Sequence, residues 1–398
     1  MRKFDEIFWG GIIGDASSMG FHWLYDPDRI KAAGGDTPEF HDPDPSLYVG
    51  SSPFVHQGKK AGDITQYGDQ LLVMLKALAK NKGVFSQAEY EKEFVSFFGP
   101  GGRYVGYIDR PTEMVLYNLK KRERDAYANA RTFDNGLSKV QRGVLEDKVM
   151  ATFKLYDENK SKEQNIERLD EIVLISQDYK GDSEVNRKKI EYCKNMFNVV
   201  YDRKSDLCGD EGDDQFPAIV KFPPIVVLYH DKENFPDIID VVTRLTNNND
   251  RSVSYGRVYA AMLATAIRTG NKDAVIEAAK ESANPEIREI IDAALARIAE
   301  PNVDVSGYFG RSCHLPFGLP QNIHLISNCN TYVEAMRMNI LAAGDNAGRG
   351  IMIGAIYAAL YGIGGDQGVP QAWIDKVTLK QEIDELLSMI PSTPEPGC

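Results

Sequence analysis

The segment Ala343-Gly-Asp-Asn-Ala-Gly-Arg-Gly350 opens on small and polar residues and runs into Ile351-Met-Ile-Gly-Ala-Ile-Tyr-Ala-Ala-Leu-Tyr361. No polar stripe interrupts the second half. A helix here is therefore one buried on all sides, not one with a wet face. The apolar run from Ile351 to Ile363 is too short to cross a bilayer, which needs roughly 20 residues. Its glycines, Gly350, Gly354 and Gly362, suit close contact between helices, where a side chain would not fit.

A central helix of that kind needs partners, and helical periodicity supplies them. Phe4, Ile7, Phe8, Ile12 and Ile13 form an apolar face that runs into Gly14-Asp15-Ala16. Leu71, Leu72, Met74, Leu75 and Leu78 do the same after Gly68-Asp69. Further helical patterns cover Val144–Asp157, Asn165–Asp178, Val185–Tyr201, Ile238–Leu245, Arg257–Thr269 and Tyr332–Leu341, and two short helices break at Asn284-Pro285. The β-branched stretch Phe222-Pro-Pro-Ile-Val-Val-Leu228 is a poor strand, because two prolines stand at its start. The reading is all-α.

With 46 basic against 58 acidic residues the net charge is −12, and 43% of the residues are hydrophobic. Such a chain has a sizeable core and no general attraction for nucleic acid or anionic membranes. Five widely spaced cysteines without a CxxC pair indicate neither a zinc site nor a disulfide framework, and the expected compartment is cytoplasmic. Cys208-Gly-Asp-Glu-Gly-Asp-Asp214 lacks the spacing of a calcium loop and reads as surface. Residues 120–214 are the most charged stretch, and 391–398 read as a disordered tail.

Four segments, in order, carry a resemblance: Gly10-Gly-Ile-Ile-Gly-Asp-Ala16 with Gly20-Phe-His-Trp-Leu-Tyr-Asp26; Gly62-Asp-Ile-Thr-Gln-Tyr-Gly-Asp-Gln70; Gly106-Tyr-Ile-Asp-Arg-Pro-Thr112; and Gly310-Arg-Ser-Cys-His-Leu-Pro316 leading to Gly344-Asp-Asn-Ala-Gly-Arg-Gly350. Together they resemble the ADP-ribosylglycohydrolase superfamily, in particular its subgroup of J1 crystallins and selenoprotein J. The resemblance implies a single compact orthogonal helical bundle over residues 1–390, with 120–214 an elaboration of it. It also implies a cleft for a small-molecule or ADP-ribosyl-type ligand.

Active members of that family hold two magnesium ions with a Thr-Asp-Asp and an Asp-x-Asp-Thr motif. Hard cations want carboxylate oxygens, and two of them can orient ribose hydroxyls and activate water. Here Gly68, Asp69 and Gln70 stand at the first motif, and Asp345, Asn346, Ala347 and Gly348 at the second. His22 falls near a glutamate that gates the metal in some members. The resemblance therefore places Asp69 and Asp345, with Gln70, around one divalent cation or none, and Asp69, Asp345 and His22 at the catalytic position. Asn346, Arg349, Tyr67 and Tyr107 are the residues expected to meet a bound ligand.

Three functions remain open: a hydrolase of an ADP-ribosyl or related N- or O-glycosidic bond, a catalytically inactive crystallin-J1-like structural or ligand-binding protein, and an enzyme of changed, metal-free chemistry. Blander readings stand beside these roles. Asp69 and Asp345 both suit a helix start, where acidic side chains cap free amides. Arg349 is more simply a salt bridge, His314 and His324 more simply structural, and Cys313 lacks a base at a productive distance.

Overall fold

The computed structural model describes residues 1–130, 137–140, 142–143, 145, 161–167, 184–203 and 206–391. The sequence-expected helices Val144–Asp157 and Asn165–Asp178 lie largely, and the expected tail almost wholly, outside the described residues. The chain divides into two compact units. Among the described residues, one holds Met1–Leu116 and 209–391, and the other lies between Tyr117 and Cys208.

The first unit carries α1 (Lys3–Ser18), α2 (Pro27–Gly34), α3 (Gln66–Lys80), α4 (Gln87–Phe98) and the start of α5 (Arg110–Ala130). The second contains the rest of α5 and α6 (Glu184–Arg203), and its core is a cluster of Leu137, Leu145, Tyr192, Cys193, Met196 and Phe197. The first unit resumes with α7 (Phe222–Tyr229), α8 (Phe235–Arg244), α9 (Asp250–Thr269), α10 (Lys272–Ser282), α11 (Pro285–Leu295) and α12 (Asn302–Phe309). It ends with α13 (Leu315–Asn328), α14 (Tyr332–Leu341), α15 (Asn346–Tyr361), α16 (Gln371–Ile374) and α17 (Lys380–Ser388). Among the described residues there is no strand, only isolated bridges such as Leu24 with Gly344. None of the described helices is long and apolar enough to cross a membrane.

The segment Phe222–Tyr229, ambiguous in sequence, is a helix. Its prolines occupy the first turn, where a missing amide costs nothing and a fixed φ helps. Asn284 caps α11 by accepting from the Ile287 amide at 2.9 Å, with Pro285 at the first helical position.

The centre of the first unit is the pair α1 and α15, whose contact is the most extensive between described helices. Nearly every residue of each is buried, as a helix without a polar face requires. Glycines let the two backbones approach. A Cβ on Gly14 would lie 2.0 Å from the Gly350 carbonyl oxygen, and one on Gly354 would lie 2.2 Å from that of Gly10. The Tyr332 hydroxyl donates to the Gly10 carbonyl at 2.7 Å and pins α14 to the same seam. This seam fixes where the end of α1 and the start of α15 stand.

Candidate functional site

The chain leaving α1 and the chain entering α15 are tied by two backbone bonds. Trp23 N–H donates to Gly344 O at 2.9 Å, and Gly344 N–H donates to Leu24 O at 2.7 Å. Both sides of this tie are left-handed: Trp23 has φ +64°, Ala343 +67° and Gly344 +70°. Such values in non-glycine residues cost about 1–3 kcal/mol each and persist only where neighbours enforce them. Here they turn His22 and Trp23 toward the start of α15.

Asp345 caps α15, its Oδ1 accepting from the Gly348 amide at 3.0 Å. The same oxygen is 3.1 Å from His22 Nε2, and Oδ2 accepts from the Tyr67 hydroxyl at 3.0 Å. His22 Nδ1 lies 2.9 Å from His56 Nε2. All four side chains are buried. Burial, then the Asp345 charge, holds the Tyr67 hydroxyl far above its ordinary range, so it stays a donor. Burial, then the nearby His22, pushes His56 well below the usual histidine range, so it stays neutral.

A second knot lies at the start of α3. Thr65 caps that helix, accepting from the Tyr67 amide at 3.1 Å. Thr65 in turn donates its amide to Asp15 Oδ2 and its hydroxyl to Asp15 Oδ1, both at 2.6 Å. Desolvation still raises the Asp15 carboxyl, against the lowering effect of those two bonds. Gly68 makes this knot possible, because a Cβ there would lie 2.6 Å from Asp15 Oδ2.

Asp69 sits one turn into α3, 3.9 Å from Lys59 Nζ. Burial raises its carboxyl to about 7, with Lys59 opposing the rise. No hydrogen bond or ion pair joins Asp69 to Asp345 among the described residues. Gln70 donates to Thr112 Oγ1 at 3.0 Å and leaves its own oxygen buried without a partner. Asn346 donates to Phe21 O at 3.2 Å. Arg349 is fully buried: it donates to the side-chain oxygen Asn339 Oδ1 at 2.9 Å and to the backbone oxygen of Ala343 at 2.7 Å, and burial lowers its guanidinium to about 10. Thus His22, Tyr67 and Asp345 converge, while Asp69, Gln70, Asn346 and Arg349 each have other partners. Asp63 is half-buried and accepts from Thr378 Oγ1 at 2.6 Å.

Beside the cluster lies a small pocket with a cavity volume of about 20 Å³, room for about one water molecule. Its walls include Trp23 and Tyr107, ring centroids 5.2 Å apart and edge to face. Its polar lining includes His56, Gln66 and Asp109. Asp109 caps the first turn of α5 by accepting from the Thr112 amide at 3.0 Å, and its own amide donates to Gln66 Oε1 at 2.9 Å. Its Oδ2 has no partner, and burial raises its carboxyl. His56 was not legible in the sequence, since an isolated histidine in a loop carries no periodic or spacing signal. Asp109 stood in a quoted motif without a role.

The donor set does not fit two metal ions. Asp345 already receives three neighbours, and Gly68 and Ala347 carry no ligand. At Gly348 a Cβ would lie 2.6 Å from the Phe216 ring, so a threonine has no room there. Among the described residues no group of three or more His, Cys, Asp or Glu side chains is arranged to hold a metal.

An all-helical unit built on a glycine seam, with the cleft residues at the starts of α3 and α15, defines a class. The ADP-ribosylglycohydrolase family pattern matches residues 2–395, and the chain belongs to that family. Within it the chain is similar to the J1 crystallins of Tripedalia cystophora. It is 22% identical to crystallin J1B over 96% of this chain and 94% of that one, and 23% identical to crystallin J1A over 94% and 91%. A solved structure described as an ADP-ribosylglycohydrolase-related protein complex shares the fold, with a TM-score of 0.52, 15% identity, and coverage of 98% of this chain and 96% of that one.

Proposed function

We propose that this protein is a ligand-binding member of the family that has given up metal-dependent hydrolysis. One observation carries the reading: the space of the missing ligands is filled. The Asp15 carboxylate occupies the room of a side chain at Gly68, and the Phe216 ring that of one at Gly348. A vacated metal site would be left with like-charged, unpaired carboxylates, which is costly. Here the surviving Asp345 is satisfied by His22, Tyr67 and its own helix. Similarity to J1 crystallins, lens-type proteins by name, supports the same reading. The ligand class of the family, ADP-ribosyl or a part of it, remains the natural occupant of the cleft.

Magnesium titration by calorimetry tests this. The expected outcome is no saturable binding below millimolar concentration, together with no release of ADP-ribose from arginine- or serine-linked substrates in magnesium. A micromolar magnesium site lost in Asp69→Ala, with turnover, would restore the hydrolase that uses Asp69 and Asp345.

A further inference from the structure

We propose that a groove between the starts of α9 and α13 binds a small organic cation, an ammonium or guanidinium group on an apolar body. The groove shares no lining residue with the pocket beside His22 and owes nothing to the loss of the metal. Its volume is about 530 Å³, within the roughly 300–1,000 Å³ of small-molecule sites.

The floor is the end of the loop 208–214, which reads as surface from the sequence alone. It is strapped between the two helix starts. Asn249, the cap of α9, donates to Asp213 O at 2.7 Å, and Ser252 Oγ donates to the same oxygen at 3.1 Å. From α13, Leu315 N–H donates to Asp214 O at 2.9 Å. The Asp213 side chain is fixed in turn, its Oδ1 accepting from the Gln215 amide and from Asn247 Nδ2, both at 2.8 Å.

Asp213 is only 5% exposed, yet it lines the groove, and its Oδ2 has no partner among the described residues. Unlike Asp109 Oδ2, that atom is not sealed from water. Burial raises the Asp213 carboxyl to about 6; the Gln215 amide opposes the rise, and the charges of Asp109 and Asp210 add to it. Keeping such a carboxylate ionised costs free energy, and a bound cation offsets that cost.

The cations at the rim do not serve it. Arg251 is divided between Asp214 and Glu286, each at 3.1 Å. His314 Nδ1 bonds Asp214 Oδ1, which holds the imidazole above the usual histidine range. Glu211 is exposed at the mouth and has no partner among the described residues. Asp214 and Glu286 thus neutralise the positive groups, and the unanswered charges are negative. A metal ion is the poorer answer, because hard cations want several carboxylate oxygens. Among the described residues no three or more His, Cys, Asp or Glu side chains are arranged to hold one. An organic cation needs one or two acceptors and a wall for its body. Pro316 and the Phe317 ring, which stands edge to face with His314 at 5.7 Å between centroids, supply that wall.

Calorimetric titration of the full chain in EDTA with benzylamine and benzylguanidine tests the proposal, against benzyl alcohol as the uncharged counterpart and benzoate as the anion. Saturable binding of at least one of the two cations is expected, with benzyl alcohol and benzoate at least tenfold weaker. Asp213→Asn keeps the Oδ1 acceptor and removes the charge, and is expected to weaken binding about tenfold or more. Glu211→Gln, at an exposed position, is expected to weaken it about threefold. Melting curves confirm that each variant folds, and if Asp213→Asn does not, Glu211→Gln decides alone. Absence of saturable binding by both cations, equal binding of benzyl alcohol, or parent affinity in every folded variant would overturn the proposal. So would calcium or magnesium binding, in buffer without EDTA, that displaces benzylamine and is lost in Asp213→Asn, since the loop would then be a metal site.

Discussion

The two ends of α15 obey different rules. Along its body, Gly350 and Gly354 press backbone to backbone against Gly14 and Gly10, and nothing larger than hydrogen fits. At its start, Asp345 caps the helix and holds His22 and Tyr67, and the Phe216 ring packs where a side chain at Gly348 would stand. The body determines where the chain runs through packing shared by dozens of atoms. The start determines chemistry through a few side chains. One can therefore change while the other is kept, which is why belonging to a family does not settle an activity.

The contrast is open to attack, first at the seam. Gly14→Ala places a methyl group 2.0 Å from a backbone oxygen that cannot rotate away. A loss of about 3 kcal/mol or more is expected in urea unfolding, since overpacking of a rigid site lies at the upper end of such costs. A wild-type midpoint would dissolve the distinction between the two ends.

The reverse attack rebuilds the ligands. Gly68→Thr and Gly348→Thr should each cost about 2–3 kcal/mol by colliding with Asp15 and Phe216. Combined with Gln70→Asp and Ala347→Asp they should still bring no magnesium binding in calorimetry. A folded quadruple variant with a micromolar site would mean that the cleft had merely lost ligands and had not been rebuilt.

Tyr67→Phe removes the hydroxyl that Asp345 accepts while keeping the ring. A buried bond to a charged group is worth about 1.5–2 kcal/mol, and thermal unfolding should show that loss. No change would mean that water replaces the hydroxyl and that the cluster is wetter than its burial indicates.

A pH-dependent attack concerns Asp69, whose carboxyl sits at about 7 in the folded protein against an ordinary value of 3.8. The folded state thus holds a proton that the unfolded state releases, and this contribution is complete below pH 4 and lost as pH rises to 7. Asp69→Asn does not titrate, so its stability relative to the parent should rise between pH 4 and pH 8, by up to about 4 kcal/mol for a shift of about three units. A flat difference across that range would place Asp69 in an ordinary ion pair with Lys59.

The seam and the all-helical class were legible in the sequence because packing leaves periodic traces. The apolar run with Gly350 and Gly354 and the Phe4–Ala16 face each betray a helix with no wet side. Residues 222–229 were ambiguous because proline in a first turn and proline at a strand edge look alike until the amide partners are known. Gly68, Gln70, Ala347 and Gly348 stood out in two motifs as positions where the resemblance expects a ligand. What packs against them did not. Asp15 under Gly68, Phe216 over Gly348 and His56 beside His22 are contacts between residues far apart in the chain, and no local spacing announces them.

The seam also has a consequence for how the molecule is made. α1 buries nearly all of its length against a helix that begins more than three hundred residues later. At roughly 5–20 residues per second of synthesis, α1 waits on the order of twenty to sixty seconds for its partner. Through that interval α3 and α7 can cover only part of it, and the face that meets α15 stays open. Contacts so distant along the chain slow folding and lengthen exposure to aggregation. The newly made chain is therefore expected to need a chaperone until α15 emerges, and truncation before Asn346 should leave α1 without a home.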